Sequence, residues 1–132
     1  MRGNIIIEHE IKRFLLGDRS KIASAAIAII LKKYSNVVSS IGENRCPFCG
    51  KSFNKPRWLR HHLSVSRCRY ELDNVVRDVA DMYTKIRNLY TRNSGRYVVC
   101  LAKYGCVSFY TSDEFVNWIL DNWNTIFNNF AQ

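Results

Sequence analysis

Four residues near the middle of the chain, Cys46, Cys49, His62 and Cys68, follow the spacing C-x2-C-x12-H-x5-C. Nothing else in the sequence limits the fold as much. Two cysteines separated by two residues make a tight knuckle, which Pro47 and Gly50 help to turn. A second donor pair further on completes the four thiolate or imidazole ligands that tetrahedral zinc takes in structural sites. A unit this small has no core of its own, and Phe53 and Leu59 supply one aromatic and one aliphatic residue to cover the inner side of the metal. The expected ligands are Cys46, Cys49, His62 and Cys68, with one zinc ion per chain. His61 competes with its neighbour, but only His62 gives the x12 spacing and stands three residues after Leu59. His61 falls about 100° away around a helix, on the outer face.

From Cys46 to Cys68 the chain resembles the ββα zinc finger of the two-Cys two-His type. Cys46, Cys49, Phe53, Leu59 and His62 stand where that family has its first three ligands and its two core residues. Cys68 departs from it, because the family usually has His there, so the stretch reads as a Cys-Cys-His-Cys variant. The resemblance implies a helix starting near Pro56, a residue suited to a first turn where its missing N–H costs nothing, with Asn54 or Lys55 as cap. It also implies that Lys55, Arg57, Trp58 and His61 face a DNA major groove. Lys and Arg reach guanine edges or pair with phosphates. An indole at the central reading position departs from the pattern; Trp58 stacks on an unpaired base or packs against the rest of the protein. A lone finger reads about three base pairs, so specificity needs dimerisation, a second contacting element or flanking basic residues.

Charge points the same way. The net charge is +9. From Arg45 to Tyr70 there are seven basic residues and no acid, whereas seven face four before that stretch and six face seven after it. One cationic element favours a polyanionic partner. The candidate nucleic-acid contacts are Lys51, Lys55, Arg57, Trp58, Arg60, His61, Arg67 and Arg69, with Arg45 beside them, and duplex DNA is the expected partner.

The rest of the chain sets a fold class of α+β: a mainly helical body, a C-terminal β-hairpin and one embedded finger. The division is a helical segment over 1–44, the finger over 45–69, and 70–132 packing with 1–44 as one body. "EHEIKRFLLG" reads as helix stopped by Gly17, Ser20 caps a second helix to about Tyr34, and "SNVVSSIGEN" reads as a linker. Asn4 to Ile7 fits either a short strand or the start of the first helix. Leu72, Val75, Val79, Met82, Ile86 and Leu89 recur at helical spacing, and Val76, Tyr83 and Tyr90 widen the stripe. This helix, over 71–92, also offers a homodimer surface. Asn93, Ser94 and Gly95 break it, and "RYVVCLAKYGCVSFYT" then forms the hairpin, turning at Gly105. Thr111 and Glu114 make a capping box for a last helix lined by Phe115, Trp118, Ile119, Ile126 and Phe130.

Five cysteines are an odd count. The first twenty residues are studded with charge and show no signal peptide. The longest apolar run is Ile22 to Leu31, short of the roughly twenty residues that cross a bilayer. A cytoplasmic setting with no membrane contact follows, and there Cys and His read as metal ligands before disulfides. The hairpin places Cys100 nearly opposite Cys106; as a pair they suit small buried hydrophobes, with a cross-strand disulfide as the alternative.

These features point to a zinc-finger nucleic-acid-binding protein, a DNA-binding transcriptional regulator. The alternative is a protein-interaction module in which zinc is structural and Trp58, Leu63 and Val65 form a docking surface. An enzyme is not expected, because four protein ligands leave zinc no open position for water and no nucleophile–base pair, phosphate loop or carboxylate dyad stands out. No small-molecule substrate is expected. In size, charge and unpaired finger the whole chain resembles small single-finger proteins of archaea and their viruses, which implies host cytoplasm if the source is viral.

Overall fold

The computed structural model describes residues 2–102 and 104–127. In chain order the elements are α1 (Arg2–Leu15), α2 (Ser24–Lys33), α3 (Ser35–Gly42), α4 (Pro56–Val65), α5 (Cys68–Arg87), β1 (Tyr90–Asn93), β2 (Arg96–Leu101), β3 (Gly105–Phe109), α6 (Ser112–Asp121) and α7 (Trp123–Phe127). The class is α+β.

The 20-residue helix α5 is the central element, with α1, α2 and α4 packed on it. Leu72, Val75, Val79, Met82 and Ile86 return to one face every three or four residues, and all are buried. Val76 and Ala80 are buried beside them, so the stripe is broad enough to meet several helices at once. Glu71 in the first turn and Lys85 and Arg87 in the last suit the helix dipole. The apolar stripe is committed inside the chain.

Several boundaries differ from those expected. Asn4 to Ile7 belongs to α1. The second helix begins at Ser24, not after Ser20: the backbone N–H of Lys21 donates to Glu10 Oε2 of α1 at 2.6 Å, and Ala23 before the helix is extended. The expected linker is largely α3, which buries Val37 and Ile41 one turn apart among its serines. A kink at Tyr34 separates α2 from α3; the Tyr34 hydroxyl donates to Asp78, as does Lys33 Nζ at 2.7 Å, which ties the kink to α5.

The helix expected over 71–92 ends at Arg87, and Tyr90 to Asn93 forms β1. The C-terminal hairpin is therefore a three-stranded antiparallel sheet in the order β1-β2-β3. Asn93 pairs with Arg96, and the two residues between them, Ser94 and Gly95, both have positive φ (52° and 78°). That is the signature of a two-residue turn whose twist matches its strands. The three residues expected to break a helix thus turn a hairpin. Gly105 takes the left-handed position expected of it, at φ 71°.

Tyr90, Tyr97, Val99, Val107 and Phe109 form the inner row of the sheet and pack toward α6. Thr111 caps α6, its hydroxyl accepting the Glu114 N–H at 3.2 Å. The last helix splits at Asn122, whose side-chain amide donates to Trp118 O at 2.8 Å, and α7 follows. Phe130 lies outside the described residues. Cys100 and Cys106 are not buried: they oppose each other on the exposed row of the sheet, and their sulfurs are joined in a disulfide. Among the described residues no helix is long and apolar enough to cross a membrane.

Candidate metal centre

Three local structures bring the four donors together. The first is the knuckle. Gly50 N–H donates to Cys46 O at 3.0 Å and Cys46 N–H to Lys51 O at 2.8 Å, while Gly50 takes a φ of 79° to close the turn. Phe53 N–H donates to Asn44 O at 2.8 Å, and one isolated bridge joins Arg45 to Ser52. The two strands of the family pattern are reduced to this short hairpin.

The second is α4, which starts at Pro56 with Lys55 at its N-cap and no side-chain cap bond. Leu59 and Leu63 are both 1% exposed and face inward, and His62 between them is half-buried. The Phe53 ring lies 5.1 Å from the imidazole, centroid to centroid, and covers it.

The third is the start of α5. Helix α4 ends at Ser66, whose N–H donates to His62 O at 3.0 Å; Cys68 is the first residue of the next helix. The Ser66 hydroxyl accepts the Cys68 N–H at 3.1 Å and lies 3.5 Å from His62 Nε2, joining the two ligand-bearing helix ends. The fourth donor therefore comes from the central helix of the body.

The donor atoms of Cys46, Cys49, His62 and Cys68 all lie within 4.8 Å of one another. A tetrahedral centre with metal–sulfur bonds near 2.3 Å sets donor–donor edges of about 3.6–3.8 Å, and Cys49 Sγ stands 3.5 Å from His62 Nε2. The donor set fits a metal ion, and three thiols with one imidazole suit a borderline or soft cation. The electrostatics also fit. The backbone N–H of Lys51 holds the Cys49 thiol below its usual range. Burial, then the neighbouring Cys46, pushes the Cys68 thiol up to about 11. Crowded thiolates repel, and a divalent cation among them removes that penalty.

The candidate nucleic-acid residues divide in two. Arg57, Trp58 and His61 are exposed on α4, on the side away from Leu59 and Leu63, and Lys55 is exposed at its N-cap. Trp58 is 52% exposed and does not pack into the body; the Arg57 guanidinium lies 5.5 Å from its ring centre. Lys51, Arg67 and Arg69 are exposed too, with Lys51 over the Phe53 ring at 5.6 Å and Arg69 over Tyr70 at 4.8 Å. Arg60 is engaged elsewhere: it pairs with Asp18, from the turn after α1, at 2.6 Å. Arg45 pairs with Glu43 at 2.9 Å. A segment without acids in sequence thus has two of its cations partly neutralised in space. Sequence reasoning also missed Ser66, whose type before a helix start is the available signal.

Replacing His62 or Cys68 with Ala should lower the metal content from one ion per chain, whereas His61→Ala should leave it intact. Native mass spectrometry of the three variants checks this assignment, and loss of metal from His61→Ala alone would reverse it.

Compared with family models, curated proteins and solved structures, the chain matches none.

Proposed function

We propose that the four-donor centre holds one zinc ion, and that the protein is a single-finger nucleic-acid-binding protein, with duplex DNA as the first partner and transcription regulation as the role. The observation that carries the reading is the two-sidedness of α4. Its inner side holds His62 in the donor group between two buried leucines, and its outer side presents Arg57, Trp58 and His61 to solvent, with Lys55 exposed at its N-cap. When bound, the ion supplies a rigid tetrahedral link and no open coordination position. Arg57 and Lys55 meet phosphates or guanine edges, and Lys51, Arg67 and Arg69 add phosphate contacts. Asp18 restrains Arg60, which helps to fix α4 against the body. The finger type, the archaeal or viral resemblance and the cytoplasmic setting belong to the same proposal.

Binding to a labelled mixed-sequence duplex should weaken steeply with salt. Arg57→Ala or Lys55→Ala should each reduce the slope of log K against log salt by about 0.9, and Arg60→Ala by less. Equal, negligible binding of wild type and variants at low salt overturns the reading.

A second reading, a protein-docking module, draws on two apolar residues of the same outer face, Trp58 at 52% and Val65 at 65% exposure. It predicts association that is insensitive to salt and lost in Trp58→Ala.

A further inference from the structure

The charge of the chain has a second concentration, hidden when residues 71–132 are summed together. From Met82 to Ser112 there are five basic residues, Lys85, Arg87, Arg92, Arg96 and Lys103, and no acid; Asp81 and Asp113 bound the stretch. In space it is the end of α5 and the whole three-stranded sheet. Lys85 is already paired with Asp81 at 3.3 Å. Arg92 and Arg96 have no carboxylate partner among the described residues.

One row of the sheet is spent on α6. No residue of the other row is buried, and it holds an open depression of about 510 Å³ lined by Asn93, Ser94, Arg96, Val98, Cys106 and Ser108 among others. The Arg96 guanidinium lies 4.7 Å from the centre of the Tyr110 ring, itself 68% exposed. Arg92, on the edge strand, belongs to the other side of the sheet: it pairs with Tyr97 of the inner row and lies 4.2 Å from that ring's centre. A ring beneath a guanidinium limits its motion and leaves its N–H fork free for an anion. Asn and Ser side chains are common donors to phosphate oxygens.

We infer that this outer face is a second contact for the sugar–phosphate backbone, with Arg96 as its cation and Asn93, Ser94 and Ser108 as neutral donors. The inference rests on the nucleic-acid reading of α4 for the identity of the polyanion. Charge complementarity selects the occupant: Arg96 has no carboxylate partner among the described residues, and the three strands carry no acid to repel a phosphate. Position supports it. The metal group sits at the start of α5 and β1 follows its end, so a helix of 20 residues, about 30 Å long at 1.5 Å each, separates the metal group from the sheet. One turn of B-DNA is about 34 Å, so a single duplex is long enough to reach both.

The test is a salt titration of metal-loaded protein against a fluorescein-labelled duplex of mixed sequence, read by anisotropy, with circular dichroism and metal content confirming that each variant is folded. Arg96→Ala should lower the salt slope by about 0.9 and weaken binding up to about tenfold near 0.1 M salt. Arg92→Ala, on the opposite side of the sheet, should lower the slope by less than Arg96→Ala does, and Arg96→Lys should restore most of what Arg96→Ala loses. An Arg96→Ala slope equal to wild type, with Arg57→Ala still effective, overturns the sheet contact and leaves the α4 reading standing. Loss with Arg96→Ala but not with Arg57→Ala supports the sheet contact and overturns the role given to α4. No binding by the wild type overturns both.

Discussion

Stripping the metal should unfold the segment from about residue 44 to 67 and leave the rest of the helical body folded. The expectation follows from what holds that segment. Its hairpin is closed by a single bridge. Helix α4 has ten residues, and isolated helices shorter than about 12–15 are marginal. Leu59 and Leu63 are its fully buried anchors, contributing about 1.5–3 kcal/mol each. Metal binding in small finger peptides supplies an apparent 10–16 kcal/mol or so, which dominates these terms. By contrast Leu72, Val79, Ile86, Phe115 and Ile119 belong to a core that also draws on Ile11 and Leu15 of α1 and Ile29 and Ile30 of α2. In hydrogen exchange, a chelator should abolish protection over residues 44–67 while residues 75–87 and 112–121 keep theirs. Unchanged protection everywhere would mean the donors are not load-sharing, and uniform loss would mean that the body depends on the metal as a whole. The pH dependence has a definite sign. Ligation requires thiolates, and a free cysteine is mostly protonated at neutral pH. Metal binding therefore releases protons, and affinity rises with pH.

The second large effect is expected at Phe115, far from the metal. Its ring is fully buried and touches an aromatic residue from every strand: Tyr90 at 4.9 Å, Tyr97 at 4.8 Å and Phe109 at 6.4 Å between centroids. The Tyr97 ring stacks on it at 11°. Phe115→Ala removes the contact that docks the sheet on α6 and leaves a cavity, which costs about 3–5 kcal/mol in comparable cores. For a chain of this size the midpoint should fall by roughly 10–20 °C. Differential scanning calorimetry of the metal-loaded variant measures it, and the metal content should stay at one per chain. A shift of only a degree or two would show that the sheet is not anchored there.

Some of this was legible in the sequence because the signal is local. The ligand set is a matter of spacing within 23 residues, Cys46 to Cys68. Helix α5 announces itself through a repeat of three and four. The Thr111 cap and the Gly105 turn depend on one or two residues each. What escaped notice was of two kinds. Tyr90 continues the heptad phase of Tyr83, so a strand residue passed for a helical one; only pairing with Val99 across a tight turn distinguishes them. Val37 and Ile41 were outweighed by the serines around them, although a one-turn spacing is all that a short buried helix needs. The other kind is long-range. Asp18 meets Arg60 across 42 positions, and no local pattern reports that. The same limit hid the role of Cys68, whose spacing marks it as a donor but not as the start of the body's central helix. The acid-free run from Met82 to Ser112 is visible in the sequence, but which of its cations share a row of the sheet appears only once the strands are placed side by side.

The central claim is that one zinc ion, held by three thiolates and one imidazole, fastens the knuckle and α4 to the start of α5. X-ray absorption at the zinc edge of the purified protein tests it most directly. The account predicts a four-coordinate shell of three sulfurs near 2.3 Å and one nitrogen at about 2.0–2.1 Å. A shell with two nitrogens, a shell containing water oxygen, or no zinc signal would contradict it.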